Sequence, residues 1–126
     1  MKNILIFLSL FILNASDCKS KKDAQKNEEN IPECIQEKIT KITSQKVANP
    51  PIKIYSYTYN KETVYYLTPI CCDVYSELYD KDCNRICAPD GGKTGRGDGK
   101  CSDFFDTKTD EKLIWSDTRK YGKGSN

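Results

Sequence analysis

Residues 52–68 carry the sequence IKIYSYTYNKETVYYLT, and this stretch sets the fold class. It contains two runs rich in β-branched and aromatic residues, 52–59 and 62–68, separated by Asn60 and Lys61. Such side chains favour extended backbone, and a two-residue polar connection is typical of a tight turn. We therefore predict a β-hairpin here.

The first strand of this hairpin places three tyrosines on one face. Alternate residues of a strand point to opposite faces, so Tyr55, Tyr57 and Tyr59 lie together. We expect them to form an aromatic row with Tyr65. Aromatic rows can bind sugars or extended peptides, but more often they pack across strands or beneath a helix. Tyr55 and Tyr57 are therefore candidate binding residues, with packing as the alternative.

A helix is predicted before the hairpin and further strands after it. Ile35, Ile39 and Ile42 recur with the spacing of one helix face, which predicts a helix over residues 32–44. The remaining strands are expected at residues 74–79, 85–87 and 113–115, the last with the single tryptophan as a core anchor. The expected fold class is α+β, with one N-terminal helix packed on a small antiparallel meander sheet, stapled by disulfides and carrying a glycine-rich loop.

That loop spans residues 89–101 and holds five of the seven glycines. Asp90 and Asp98 are candidate binding residues there, because with Asp103 and Asp106 they could offer oxygen ligands to calcium. The spacing is not that of an EF-hand, and the simpler interpretation is a disulfide-anchored loop. We expect no metal site and no cofactor, with calcium as the only candidate.

Cysteine is the second strong signal, with seven in the chain. Six lie in the body: Cys34, Cys71, Cys72, Cys83, Cys87 and Cys101. An even number suits three disulfides, each contributing roughly 2–4 kcal/mol of stability, and fifteen pairings remain open. Cys71 and Cys72 are adjacent and would point to opposite faces of an extended segment, so we expect them in separate bridges.

The N-terminus predicts export. Residues 4–13, ILIFLSLFIL, are too short to span a bilayer, which needs about 20 apolar residues, and they suit a signal peptide over residues 1–17. The residues before Cys18 resemble a bacterial lipobox, although Asp17 departs from it. Lipid on Cys18 would leave an even number of cysteines to pair. We expect a disordered tether at 18–30, one domain at 31–120 and a flexible tail at 121–126.

The amino-acid composition excludes several kinds of catalytic and metal site. The chain has no histidine, which excludes Ser-His-Asp and Cys-His nucleophiles and histidine-ligated zinc sites. The net charge is +2, from 20 basic and 18 acidic residues, and gives no reason to expect nucleic acid as a partner. We therefore predict a protein that is not an enzyme.

Four segments together resemble a known family. They are residues 31–35 (IPECI), residues 50–57, Cys71-Cys72-Asp73, and the glycine block that ends at Cys101. The resemblance covers residues 31–119 and is to small exported bacterial proteins, often lipoproteins, with one cysteine-rich domain of unknown function. It implies export and a small cysteine-rich domain, and it implies no activity.

These observations favour an exported, non-enzymatic binding or envelope-accessory domain. We expect it in the bacterial cell envelope as a lipoprotein, or secreted, with a membrane contact through the lipid and an unidentified protein or glycan as partner. The alternative is a secreted, disulfide-stabilised inhibitor of hydrolases that uses the loop at residues 91–99.

Overall fold

The computed structural model describes residues 30–71 and 73–121. It contains two helices and five strands: α1 Glu33–Thr43, β1 Lys53–Tyr59, β2 Glu62–Leu67, β3 Glu77–Asp80, β4 Arg85–Cys87, α2 Phe104–Thr107 and β5 Thr109–Ser116. The predicted signal peptide, nearly all of the tether, Cys18, Cys72 and the tail beyond residue 121 lie outside the described residues. Within the described ranges, no helix is long and apolar enough to cross a membrane.

The strands form one antiparallel sheet in the order β4-β3-β2-β1-β5. A mixed fold of helix and antiparallel sheet is therefore confirmed. The predicted hairpin is β1 and β2, and its turn residues Asn60 and Lys61 have φ angles of 50° and 67°. Two consecutive positive φ angles are typical of the tight turn that matches the right-handed twist of paired strands.

Two strands differ from the prediction. The third strand begins at Glu77 rather than at residue 74, because Tyr75 instead forms an isolated bridge with Gly91 of the glycine-rich loop. The last strand is eight residues long rather than short, and it pairs with β1 at the far edge of the sheet. Its edge position leaves Trp115 only partly buried, packed against a core rather than anchoring one.

Both faces of the sheet are covered. One face carries the aromatic cluster, which we define as Tyr57, Tyr59, Tyr66 and Phe104, together with Val64, Leu78 and the Cys87 and Cys101 sulfurs. The other face carries a second core built from Ile35, Ile54, Tyr65, Leu67 and Tyr79, against which Ile39 and Ile42 of α1 pack. Burial on both faces explains why four consecutive β2 residues, 64–67, are all buried.

Disulfides join distant parts of the chain. Cys34 in the first turn of α1 bonds Cys83 in the turn after β3, across a sequence separation of 49 residues. Cys87 of β4 bonds Cys101, which precedes α2, across 14 residues. Cys71 is also disulfide-bonded. The expectation that it avoids Cys72 concerns a residue outside the described ranges.

Candidate binding site

The aromatic cluster is a packed core. The rings of Tyr57 and Tyr59 meet the Phe104 ring edge-on, with ring centroids 5.5 and 5.3 Å apart, and the Tyr66 ring lies at 5.9 Å. Edge-on rings attract because the positive edge of one faces the negative face of the other. Phe104 is completely buried at the centre, so its ring is not accessible to a ligand.

Each tyrosine hydroxyl of the aromatic cluster donates to a carboxylate. Tyr57 donates to Glu111 at 2.9 Å, Tyr59 to Asp103 at 2.8 Å, and Tyr66 to Asp90 at 2.9 Å. Burial, followed by these hydrogen bonds to anionic acceptors, raises the pKa of all three phenols. The hydroxyls are therefore held protonated and already engaged.

The predicted binding residues Tyr55 and Tyr57 lie in different environments. Tyr57 is only 5% exposed, whereas Tyr55 is partly buried and stacks on Tyr57 with centroids 6.1 Å apart. The aromatic row also has a different fourth member: Tyr66 faces Tyr55 across the hairpin, while Tyr65 is paired with Ser56 and belongs to the other core. The expectation of Tyr65 in this row is wrong, because the register fixed by the two-residue turn moves it to the opposite face.

The candidate residues Asp90 and Asp98 hold the glycine-rich loop in place. Both oxygens of Asp90 accept the Tyr66 hydroxyl. Asp98 accepts the backbone N–H of Ala88 at 3.0 Å and that of Lys100 at 3.1 Å. Burial opposes ionisation of Asp98, but these N–H groups outweigh it and lower its pKa. Among the residues described, no three Asp, Glu or Cys side chains cluster as metal ligands would.

An open groove lies elsewhere, between α1 and the segment that joins β2 to β3. Its volume is about 260 Å³. It is lined by Lys38, Lys41, Ile42, Gln45, Ile52, Leu67, Thr68, Ile70, Val74, Tyr75 and Glu77. Val74 and Tyr75 are 42% and 48% exposed, and the Tyr75 ring rests on Gly92, where a Cβ atom would overlap it. The groove is thus an apolar surface left partly open to solvent.

The charged side chains that line the groove differ in their interaction partners. The Lys38 ammonium lies 4.0 Å from the centre of the Tyr79 ring, and the Glu77 carboxylate accepts the Tyr79 hydroxyl at 2.7 Å. Burial and that hydrogen bond raise the pKa of Tyr79. Lys41 is exposed and forms no ion pair with any residue in the described part of the chain. Two lysines face one engaged carboxylate, so the rim is net positive.

Comparison with known proteins places this fold in a family. A family model described as a domain of unknown function, DUF6970, matches residues 40–117. The chain belongs to the DUF6970 family. No curated protein and no solved structure gave a significant match. The resemblance to a family of uncharacterised domains is thereby confirmed, and the matched segment of the DUF6970 domain includes all five strands and most of the groove.

Sequence reasoning missed the groove of this DUF6970 domain. The sequence predicts a strand at residues 74–79, and in a strand of the sheet alternate side chains would be covered. Ile70, Val74 and Tyr75 lie instead between β2 and β3, where the chain leaves the sheet. Apolar residues are concentrated after Pro69, in a connection between two strands, where residues are usually polar. This concentration was the sequence signal that could have indicated the groove.

Proposed function

We propose that this DUF6970 protein is an exported, non-enzymatic binding domain, carried in the bacterial cell envelope by a lipid on Cys18. One observation carries the binding role. The apolar groove beside Val74 and Tyr75 is open, whereas the polar groups of the aromatic cluster are engaged in internal hydrogen bonds. Exposed apolar surface with a charged rim is typical of interaction sites.

Export is supported by the chemistry of the chain. Disulfides persist in oxidising compartments, and Cys34–Cys83 and Cys87–Cys101 cross-link distant parts of a small domain. In this proposal the apolar leader at residues 4–13 directs export, and Cys18 carries the lipid anchor. The partner is a protein or a glycan rather than nucleic acid, since basic and acidic residues are nearly balanced.

A non-enzymatic role is supported by how the acids are used. In the aromatic cluster, Glu111, Asp103 and Asp90 each accept a phenol hydroxyl. A general acid or base must instead exchange its proton with a substrate, within hydrogen-bonding distance of the reacting atom. The histidine that most often performs this role near neutral pH is absent from the sequence.

The inhibitor alternative has less support. An inhibitory loop must project into the cleft of its target. Gly91 and Gly97 instead lie directly against the backbone of Val74 and Ala88, where a Cβ atom would overlap the neighbouring carbonyl. Residues 93–96 are exposed at the tip, but Asp98 ties the loop back to the body. We therefore favour the groove as the contact surface.

The lipid anchor and the contact surface are tested separately. Intact mass of the membrane-extracted protein should show a chain that begins at Cys18 with added acyl groups. A soluble product that begins near Lys19 would overturn the anchor.

For the contact surface, a photo-crosslinking residue at position 75 should yield discrete adducts in the native envelope. The matched control is position 113, because Leu113 is 52% exposed on β5. Equal adducts at both positions, or none at position 75, would overturn the binding role.

A further inference from the structure

We infer that the groove binds the end of a medium-length acyl chain that carries a carboxylate, with the hydrocarbon in the groove and the carboxylate beside Lys41. The inference rests on the proposed binding role of the groove, and it assigns the groove an acyl carboxylate in place of the protein or glycan partner proposed above. Three features of the groove support it: the volume and apolar lining, the net positive charge of the rim, and the hydrogen bonds of the backbone groups.

The size and lining of the groove fit a short hydrocarbon. Its volume of about 260 Å³ equals roughly nine water-sized groups, at about 30 Å³ for each water in the liquid. The walls are formed by side chains of Ile42, Ile52, Leu67, Ile70 and Val74. Moving methylene groups from water into such a site contributes about 0.8 kcal/mol for each group that becomes fully buried. A chain of about eight carbons therefore suits the space.

The charge of the rim favours an anion. Lys38 and Lys41 stand on the same side, one turn apart on α1. Lys38 already contacts the Tyr79 ring, whereas Lys41 has no carboxylate partner within residues 30–71 and 73–121. Among the described residues of the lining, the only acid is Glu77, and it accepts the Tyr79 hydroxyl. A carboxylate beside Lys41 would gain an ion pair that none of the described residues supplies.

The backbone around the groove argues for a lipid-like ligand rather than a peptide. Thr68 donates its N–H to Lys53 at 3.0 Å, and Gly92 donates to the carbonyl of Val74 at 3.2 Å. Two backbone groups of the lining, the Thr68 N–H and the Val74 carbonyl, are thus paired within the protein. A peptide would bring amides that need partners, and each amide that is shielded from water without a partner costs about 1–3 kcal/mol. An acyl chain has no such groups.

The experiment titrates the oxidised mature protein with octanoate and follows backbone amide shifts by NMR. We expect saturable shifts at Ile70, Val74 and Tyr75, with a dissociation constant of about 1 mM for a ligand of this size. Octanol and octylammonium have the same chain without the negative charge, and they should bind more weakly. The variant Lys41→Glu should weaken octanoate binding roughly fivefold, because an attraction becomes a repulsion at an exposed site.

The matched control is Lys61→Glu, which makes the same charge change in the hairpin turn at the opposite end of β1 and β2. It should leave octanoate binding unchanged. Four outcomes would overturn the inference: no saturable shifts at the groove, equal binding of octanol, equal effects of the two lysine variants, or tighter binding by a short peptide with a C-terminal leucine carboxylate. The crosslinking at position 75 can still succeed in each case, so the two proposals fail separately.

Discussion

Replacing Phe104 with alanine should remove the centre of the aromatic cluster. The Phe104 side chain is 0% exposed and touches the rings of Tyr57, Tyr59 and Tyr66. Truncation of a buried phenylalanine typically costs about 3–5 kcal/mol, from lost burial and the cavity that remains. We expect Phe104→Ala in the upper part of that range, since three edge-on ring contacts, with Tyr57, Tyr59 and Phe105, disappear with it.

The matched control is the adjacent Phe105→Ala. Phe105 is 45% exposed, although its ring touches Tyr66 and Phe104. Its removal leaves an open surface rather than a cavity, so the expected cost is about 1–2 kcal/mol, mainly from the two lost ring contacts. A small domain has a total free energy of unfolding of about 5–15 kcal/mol, which makes the difference between the two variants easy to resolve.

The assay is urea unfolding of the oxidised protein, followed by the fluorescence of Trp115. Keeping the disulfides intact leaves the same cross-links in the unfolded state of every variant. Similar losses in Phe104→Ala and Phe105→Ala would refute the reasoning, as would a loss below about 1 kcal/mol for Phe104→Ala. Either result would mean that the tyrosine face is not a packed core and would restore Tyr57 as a binding candidate.

Three further predictions use the same unfolding assay. Gly97→Ala should destabilise more than Gly99→Ala, because both have positive φ (68° and 77°) but only Gly97 lies against backbone atoms; equal losses would contradict this. Replacing both Cys87 and Cys101 with serine should cost about 3 kcal/mol, the loop entropy of their 14-residue separation, and no loss would argue against that bond. Raising the pH from 7 should leave stability unchanged up to about pH 10 and lower it above, by up to about 1.4 kcal/mol per pH unit for each buried tyrosine of the aromatic cluster. Unfolded phenols ionise there while the raised pKa keeps the folded ones protonated, so a flat profile through pH 11 would be inconsistent with those raised values.

The hairpin could be predicted because its causes are local. Asn60 is one of the few residue types that tolerate the positive φ angle of the turn, and the flanking residues have strong strand preferences. The path of β5 could not be predicted in the same way. Its pairing with β1 joins Lys53 to Ser116, and no local pattern states which edge of a sheet a distant strand will choose. The start of β3 at Glu77 depends equally on a distant contact, that of Tyr75 with Gly91.

The sequence could not decide whether the tyrosine face binds a ligand or packs in a core, and the reason is related. Alternation correctly placed Tyr55, Tyr57 and Tyr59 together, but alternation cannot say what covers a face. The cover is Phe104, which follows a loop rich in glycine and is held near the sheet by the Cys87–Cys101 bond. With fifteen possible pairings of six cysteines, that bond had no sequence signature. The continuous apolar run at residues 64–67 was the one local sign of burial on both faces.

The folded unit extends beyond the family match at both ends, and the groove depends on those extensions. Residues 40–117 exclude Cys34, which fixes the first turn of α1 to Cys83, and Arg119. The Arg119 guanidinium bonds the buried Asp117 carboxylate at 2.7 Å and donates to the carbonyl of Thr43 at 2.8 Å, as well as to those of Ile42 and Gln45.

Carbonyls at the end of a helix lack partners within the helix, so Arg119 closes the C-terminal end of α1 and ties it to the end of β5. The pairing with Arg119 also lowers the pKa of Asp117, which keeps that carboxylate charged. Lys41 and Ile42, which form one wall of the groove, lie in this last turn of α1. The groove wall is therefore held from both sides of the matched segment, by a disulfide at its start and by an arginine at its end, and the unit that presents the groove is longer than the family match.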